Sequence, residues 1–339
     1  REEPDEMGKA SFFENEGAGM AMILSIVVPV YNVKQYLHKC LESLLDQDLS
    51  KDEYEIVLVD DGSTDGSGTI CDEFALKEGN VKVVHQKNQG LSVARNVGTQ
   101  MAEGKYIQYV DSDDYLHPDV LKGLVSLMEE HSLDVLRFGF RRVSERESVP
   151  EIGNGPIRLR DTRVWNGKDF LLKELWFSCY ACQFIIRKEL LEVHHLQFKP
   201  GIIFEDTEWT PRMLSVSRRV SSTDALVYYY LIRKGSITNS AVERKIKGQF
   251  YLIDELRNQA SAMEDPRWHE GMISHMVVTI ISTISKSLYP QRNVYLKELK
   301  ERNVYPLSTY MANKSGLRKI RLINVSPSIA CYLIHLFNK

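Results

Sequence analysis

Residues 54–65 are YEIVLVDDGSTD, a continuous apolar run that passes directly into acidic and turn-forming residues. Uninterrupted β-branched and apolar runs of this length are typical of strands buried on both faces of a parallel sheet. Similar runs occupy residues 23–30, 81–84 and 106–110, and a fifth candidate strand follows at 134–140. The sequence therefore predicts a sheet whose central strands are covered on both sides.

Helices are predicted between these strands, because apolar residues recur at spacings of three and four, for example within residues 33–45. Strands that alternate with helices of this size imply βαβ units and an α/β fold. Ligands of such sheets bind outside the carboxyl ends of the strands. Two acidic clusters follow strands there, at residues 60–61 and 111–114. We therefore expect the functional site at this edge of the sheet.

Composition narrows the class of protein. The chain has 339 residues, with 46 acidic residues against 43 Lys and Arg, and this balance argues against a nucleic-acid partner. Five cysteines form too sparse and odd a set for a disulfide framework, which favours a cytoplasmic setting. No stretch approaches the roughly 20 apolar residues that span a bilayer. Residues 1–22 are polar and acidic, and we interpret them as a leader or remnant outside the fold.

The second acidic cluster suggests a metal site. Asp111 and Asp113 are two residues apart at a strand end, so an extended backbone directs both side chains to the same face. Two such carboxylates repel one another unless a cation or hydrogen-bond donors lie between them, and oxygen ligands suit Mg²⁺ or Mn²⁺. The alternative is that this cluster only caps the helix that begins near Pro118.

The first cluster suggests a nucleotide contact. The turn after residues 54–59 is rich in glycine, but it lacks GxGxxG, and its carboxylates would repel a pyrophosphate. Carboxylates at Asp60 and Asp61 better serve as acceptors for a base or for ribose hydroxyls. The alternative is a simple turn followed by a helix cap.

Four segments in order resemble one large family. They are residues 26–32 (IVVPVYN), 55–65 (EIVLVDDGSTD), 88–96 (NQGLSVARN) and 111–114 (DSDD). Together they resemble the inverting, nucleotide-sugar-dependent glycosyltransferases of family 2. The resemblance implies the GT-A fold, a Rossmann-like, mostly parallel sheet flanked by helices.

The resemblance also implies a division of the chain. We expect a nucleotide-sugar-binding half at residues 23–130 and an acceptor-binding half at 131–240. The remainder, residues 241–339, is expected to be a C-terminal helical region.

The resemblance implies a role for individual residues in binding the donor. Asp61, or its neighbour Asp60, would contact the base, and Arg95 would lie in the donor site. Asp111 would face the ribose, and Asp113 would bridge to Mn²⁺ or Mg²⁺. Pro29, Tyr31 and Asn32 would close the first strand beside the base.

A general base is needed because a sugar hydroxyl is a poor nucleophile until it loses its proton. Glu205-Asp206 resembles an acidic pair of the family, which implies that Asp206 is this base; Glu205 and Glu208 are the alternatives. The competing interpretation is that these acids only stabilise a helix N-terminus. Residues 228–238 also resemble the family, which implies that Arg233 or Lys234 closes over the donor diphosphate. The alternative is an aromatic strand followed by a solvated turn.

The expected activity is metal-assisted transfer of a hexosyl or N-acetylhexosaminyl group. The donor would be a nucleotide-sugar, most simply UDP-linked, and the acceptor a hydroxyl of a glycan or of a lipid-linked glycan. The alternatives are a non-catalytic sugar-nucleotide-binding protein and a sugar nucleotidyltransferase. The latter is disfavoured because residues 29–32 are not a Gly-rich basic loop.

Two features outside the motifs also suggest partners. After Glu301 the chain has no acidic residue but several Lys and Arg, and residues 329–337 are strongly apolar, a pattern that suits an anionic membrane surface. The alternative is a last helix docked on the core.

Trp165, Trp176 and Trp209 are candidates for stacking on acceptor sugars, with core packing as the alternative.

Overall fold

The computed structural model describes residues 22–145, 157–161, 163–176, 178–233, 242–286 and 291–337. The strands are β1 (Leu24–Val30), β2 (Tyr54–Asp60), β3 (Val81–His85), β4 (Tyr106–Tyr109), β5 (Tyr115–Leu116), β6 (Val135–Ser144), β7 (Phe184–Arg187) and β8 (Val220–Ile232). The helices are α1 (Lys34–Leu45), α2 (Ser67–Lys77), α3 (Leu91–Met101), α4 (Leu121–Glu130), α5 (Gly167–Lys173), α6 (Lys188–Val193), α7 (Glu205–Val216), α8 (Val242–Ser261), α9 (Arg267–Lys286), α10 (Arg292–Glu301), α11 (Lys314–Val325) and α12 (Pro327–Phe337). A 3₁₀ turn covers Ala181–Gln183.

All eight strands join one sheet in the order β3-β2-β1-β4-β7-β6-β8-β5. The first four strands along the chain are parallel, as the sequence predicts. β7 runs antiparallel to both β4 and β6, β8 is parallel to β6, and β5 is antiparallel to β8. The mostly parallel α/β sheet is therefore confirmed, with antiparallel pairs in its second half.

Register aligns the ends of the first three strands. β1 and β2 pair without a shift from Leu24–Tyr54 to Val30–Asp60, and β3 ends opposite Asp60 at His85. The pairing of β4 with β1 stops earlier, at Val27, so that Pro29, which has no N–H to donate, lies beyond that ladder. The residues after each strand consequently emerge along one edge of the sheet.

Helices cover both faces of the sheet. Even-numbered residues of β1 pack with α1, α2 and α4, whereas Val27 faces the opposite side. On that side α3 lies very close to the strands: a Cβ added at Gly98 would lie 2.3 Å from Cγ1 of Val27. Glycine at this position therefore permits the close approach of α3 to the sheet. That approach fixes the position of Arg95 relative to the sheet, because Arg95 lies one turn earlier in the helix.

Helices α8 to α12 form the C-terminal extension that the sequence predicts. They share an apolar core with α5 and α7 on the Val27 side of the sheet, in which Trp209 and Trp268 are fully buried. Trp209 is therefore a core residue, and the suggestion that it stacks on an acceptor is wrong. Across the described ranges, we find no helix with both the length and the apolar character to traverse a lipid bilayer.

Candidate active site

A buried arginine joins the carboxylates that the sequence places far apart. Arg95 on α3 is only 1% exposed, and its Nη1 donates to Oε1 of Glu205 and to Oδ1 of Asp206, both at 2.8 Å. Its Nη2 donates to Oδ1 of Asp111 at 2.8 Å. One guanidinium thus binds Asp111, two residues beyond β4, and the first turn of α7. The charges of the three acids raise the pKa of Arg95 far above its usual range, although burial alone would lower it.

The pair Glu205-Asp206 begins α7, where negative side chains interact favourably with the helix dipole. These acids can therefore stabilise the helix N-terminus and also belong to the functional site. Oδ2 of Asp206 also accepts from the backbone N–H of Ala181 at 3.2 Å, so that both carboxylate oxygens are oriented. Burial raises the pKa of Asp206 to about 7; Arg95 opposes the shift, while Glu205 and Asp111 add to it.

Glu208, one of the alternative bases, is fully buried and is bonded to a different set of residues. Its carboxylate pairs with Nε and Nη2 of Arg212 at 2.8 Å each, and with Lys199 at 3.5 Å. Such a closed, charge-paired carboxylate stabilises the start of α7. The geometry therefore disfavours Glu208 as the base.

Asp113 makes a different ion pair. Its Oδ2 accepts from Nε of Arg233 at 2.6 Å, and the guanidinium of Arg233 lies over the Tyr36 ring, 4.9 Å from its centroid. Burial and the nearby charge of Asp111 raise the pKa of Asp113, while Arg233 opposes that shift. Arg233 is thereby brought to the acidic cluster, whereas Lys234 lies outside the described residues.

Asp114 is the structural member of the cluster, a role that the sequence does not separate from that of its neighbours. It is 2% exposed, accepts from the Tyr228 hydroxyl at 2.6 Å, and accepts from the backbone N–H of Leu231 at 2.7 Å. The Tyr228 hydroxyl also accepts from the backbone N–H of Asp111 at 3.1 Å. These contacts tie the end of β8 to the acidic turn and thereby position Arg233.

Asp60 and Asp61 are both buried and bonded to protein groups. Asp60 accepts from the backbone N–H of Ser63 at 3.0 Å and lies 2.9 Å from Nδ1 of His85. Asp61 accepts from Nε2 of Gln86 at 2.7 Å and from the backbone N–H groups of Gln89 and Gly90, both at 2.8 Å. Asp61 therefore holds the turn that leads into α3, a positioning role not apparent in the sequence.

The first strand ends on an exposed pair. Tyr31 is 50% exposed, and Asn32 adopts a left-handed backbone with a φ of 50°. Oδ1 of Asn32 accepts from the backbone N–H of Thr64 at 2.8 Å, which joins the turns after β1 and β2. Pro29 is buried within β1, behind this surface.

The acidic turn has the donor chemistry for a hard divalent cation. Asp111 and Asp113 offer only oxygen atoms, the ligands that Mg²⁺ and Mn²⁺ prefer. Within the described part of the chain, no three or more His, Cys, Asp or Glu side chains surround a common metal position. A cation held here would therefore take further ligands from water or from a phosphate.

The chain belongs to glycosyl transferase family 2, whose model matches residues 25–194, half of its length. It is 35% identical over 226 residues to EpsJ of Bacillus subtilis (strain 168), named an uncharacterized glycosyltransferase. It is 33% identical over 234 residues to the glycosyltransferase GlyG of Streptococcus pneumoniae serotype 4. These alignments cover 65% of this chain and 64% of EpsJ, and 64% of this chain and 73% of GlyG.

TarS of Staphylococcus aureus is both a sequence and a structural relative. TarS (strain Mu50), named a poly(ribitol-phosphate) beta-N-acetylglucosaminyltransferase, is 37% identical over 232 residues, covering 65% of this chain and 37% of TarS. The crystal structure of its residues 1–349 with UDP-GlcNAc aligns with a TM-score of 0.68 and 23% identity, covering 93% of this chain and 89% of that one. This likeness confirms the GT-A fold.

Proposed function

We propose that this chain is an inverting glycosyltransferase that moves a sugar from a UDP-linked donor to a hydroxyl group of a glycan or of a lipid-linked glycan. The observation that carries the proposal is the joining of Asp111 and Asp206 by Arg95, with 2.8 Å bonds to each. A carboxylate suited to a base thereby lies beside the acidic turn at the carboxyl ends of the strands. Family membership and the UDP-GlcNAc bound to TarS support the donor class.

Asp206 would remove the proton of the acceptor hydroxyl. In a single displacement, the bond from the acceptor oxygen to the anomeric carbon forms as the bond from that carbon to the phosphate oxygen breaks. The hydroxyl proton passes to Asp206, and the diphosphate leaves from the opposite side, which inverts the anomeric centre. A base whose pKa is about 7 is well matched to this task at neutral pH.

Arg95 would keep this base ionised and oriented. Oδ1 of Asp206 binds Arg95 and Oδ2 binds the N–H of Ala181, so the acceptor hydroxyl would meet the remaining lone pairs of these oxygens; 18% of the Asp206 side chain is exposed. Glu205, which shares the same Nη1, would tune the charge of the site rather than replace Asp206.

Asp113, with Asp111 beside it, would hold Mn²⁺ or Mg²⁺. Such a cation supplies Lewis-acid stabilisation of the leaving diphosphate. Arg233, now paired with Asp113, would turn toward the donor phosphates and make charge-assisted hydrogen bonds to them. The two groups would together balance the negative charge of the diphosphate.

We assign donor binding to residues 23–130 and acceptor binding to residues 131–240. Tyr31 would contact the base through its exposed ring, with Pro29 and Asn32 shaping the turn beneath it. Asp61 or Asp60 would complete the base contact. The hydrogen bonds that Asp61 already makes favour indirect support through the turn at Gln89.

The proposal is tested with a panel of nucleotide-sugars, by calorimetry and by release of nucleotide, with and without Mn²⁺. We expect one UDP-sugar to bind, tighter with the cation, and Asp113→Ala to lose that dependence and the transfer. Asp52→Asn, which alters an exposed acid far from the cluster, is the matched control. Binding without turnover on any acceptor would instead identify a non-catalytic sugar-nucleotide-binding protein, and a product that retains the donor configuration would contradict single displacement.

A further inference from the structure

An apolar stripe lies on the outer surface of the last two helices. The stripe consists of Val325, Ile329, Tyr332 and Leu336, which are 81%, 54%, 57% and 47% exposed. Ile329, Tyr332 and Leu336 are spaced by three and four residues, which places them on one face of α12, and Val325 is the last residue of α11. Single exposed hydrophobic residues are ordinary, but three large ones on one helix face, with a fourth at the end of the preceding helix, indicate an interaction surface.

The opposite face of α12 is already occupied. Ala330, Cys331 and Ile334 are buried, and α12 packs on α9 and on α11. The helix is therefore docked on the core by one side while the stripe faces outward. The docked last helix that the sequence offers as one alternative is therefore present, and its outer face carries the exposed residues Ile329, Tyr332 and Leu336.

Basic residues lie on the neighbouring helix. Lys314, Arg318 and Arg321 on α11 are exposed and are spaced by four and three residues, so they too share one face. The sequence from residue 302 to the end contains no acidic residue. Val325 follows Arg321 by four residues and so shares this face of α11, which brings an exposed apolar residue to the basic face. Basic and apolar residues together are complementary to a surface that is negatively charged and has an apolar interior.

We propose that the stripe and the basic face of α11 bind the surface of a membrane that contains anionic phospholipids. Apolar side chains would enter the boundary between headgroups and acyl chains, while the basic residues pair with lipid phosphates. A second copy of the chain is a poorer occupant, because a symmetric contact would place the basic faces of α11 near each other. Membrane binding would bring the candidate active site to a lipid-linked acceptor, and this consequence rests on the proposed function.

The test is sedimentation of the full chain with vesicles of phosphatidylcholine alone and with added phosphatidylglycerol. We expect binding to the anionic vesicles only, weakened by salt. Arg318→Gln with Arg321→Gln should lower the partition coefficient about 30-fold. Ile329→Gln with Leu336→Gln should lower it about tenfold or more.

The matched control changes two exposed apolar residues elsewhere, Leu76→Gln with Val294→Gln, and should leave vesicle binding intact. Sedimentation velocity without vesicles tests for self-association. Failure of the unaltered chain to bind anionic vesicles, equal binding by the stripe variant, or a dimer that the stripe variant abolishes would each overturn the proposal. Sugar transfer to a soluble acceptor is measured in parallel and should be unchanged in all variants, so that failure of membrane binding and failure of the proposed function are distinguished.

Discussion

The guanidinium of Arg95 lies 2.8 Å from the carboxylate of Asp206, although 111 residues separate them along the chain. The contact joins α3, which packs against the first strands of the sheet, to α7, which begins beyond β7. Because Arg95 also binds Asp111 and Glu205, one buried cation contacts three carboxylates. Substitution of this arginine should therefore change both the transfer rate and its pH dependence.

Arg95→Lys should lower the transfer rate by about 100-fold or more, since a single ammonium group cannot reproduce a planar guanidinium that contacts three carboxylates. Weaker compensation of the acids should also move the pH midpoint of the rate upward. The measurement is the rate against pH, with Arg244→Lys on the exposed face of α8 as the control. A reduced rate with an unmoved midpoint would contradict electrostatic control of Asp206 by Arg95.

Asp206→Asn should abolish transfer and yet stabilise the fold near pH 8 by about 1 kcal/mol. The folded-state pKa of Asp206 is about 7, above the unfolded value of about 3.9. Between these two values the native state keeps a proton on Asp206 that the unfolded chain releases. The contribution of Asp206 to the free energy of unfolding therefore falls as pH rises from about 4 to about 7.

The stabilising effect of Asp206→Asn should accordingly disappear near pH 4. Thermal unfolding of both proteins at pH 4 and pH 8 checks this dependence. Lower stability of the variant at pH 8 would indicate that Asp206 serves the fold instead of the reaction.

The transfer rate of the unaltered chain should rise with pH and level off above about 7, because only the ionised form of Asp206 accepts the hydroxyl proton. Below that value the rate should fall about tenfold for each pH unit. The measurement is initial rate at saturating donor and acceptor. A rate independent of pH between 5 and 8 would remove Asp206 as the base.

Trp176→Ala should raise the acceptor KM about tenfold and leave donor hydrolysis unchanged. Trp176 is 60% exposed and lies in the segment that leads to Ala181, whose N–H binds Asp206. Its ring is thus available to stack on an acceptor sugar. Trp176→Phe keeps an aromatic face and should restore most of the affinity, whereas equal effects of the two variants would argue against stacking.

The sequence predicts the first half of the fold well, because β1, β2 and β4 are continuous apolar runs with little ambiguity. It does not predict β5 and β7, which have two and four residues and obtain their partners from distant strands. β8 includes Ser, Thr and Asp, so it lacks the pattern of a buried strand, and its position depends on the contacts of Tyr228 and Leu231 with Asp114.

For the site, the residue types and their order along the chain indicate the acidic clusters. They do not indicate which contacts each aspartate of a cluster makes. Neighbouring aspartates look alike in sequence, whereas in the fold Asp114 is enclosed by β8 and Asp113 meets Arg233. Likewise, the bonds of Asp61 to the turn before α3 depend on where the backbone brings Gln89 and Gly90. Such distinctions arise from burial and from long-range contacts.

Gly98 illustrates how a residue without reactive groups can govern a reaction. Its missing side chain lets α3 lie against Val27, and even a methyl group would push the helix outward together with Arg95. A genetic screen for inactive alleles should therefore recover substitutions at this glycine alongside those of the aspartates. Such alleles would be temperature-sensitive, since warming would further weaken the packing of a helix that is already displaced from the sheet.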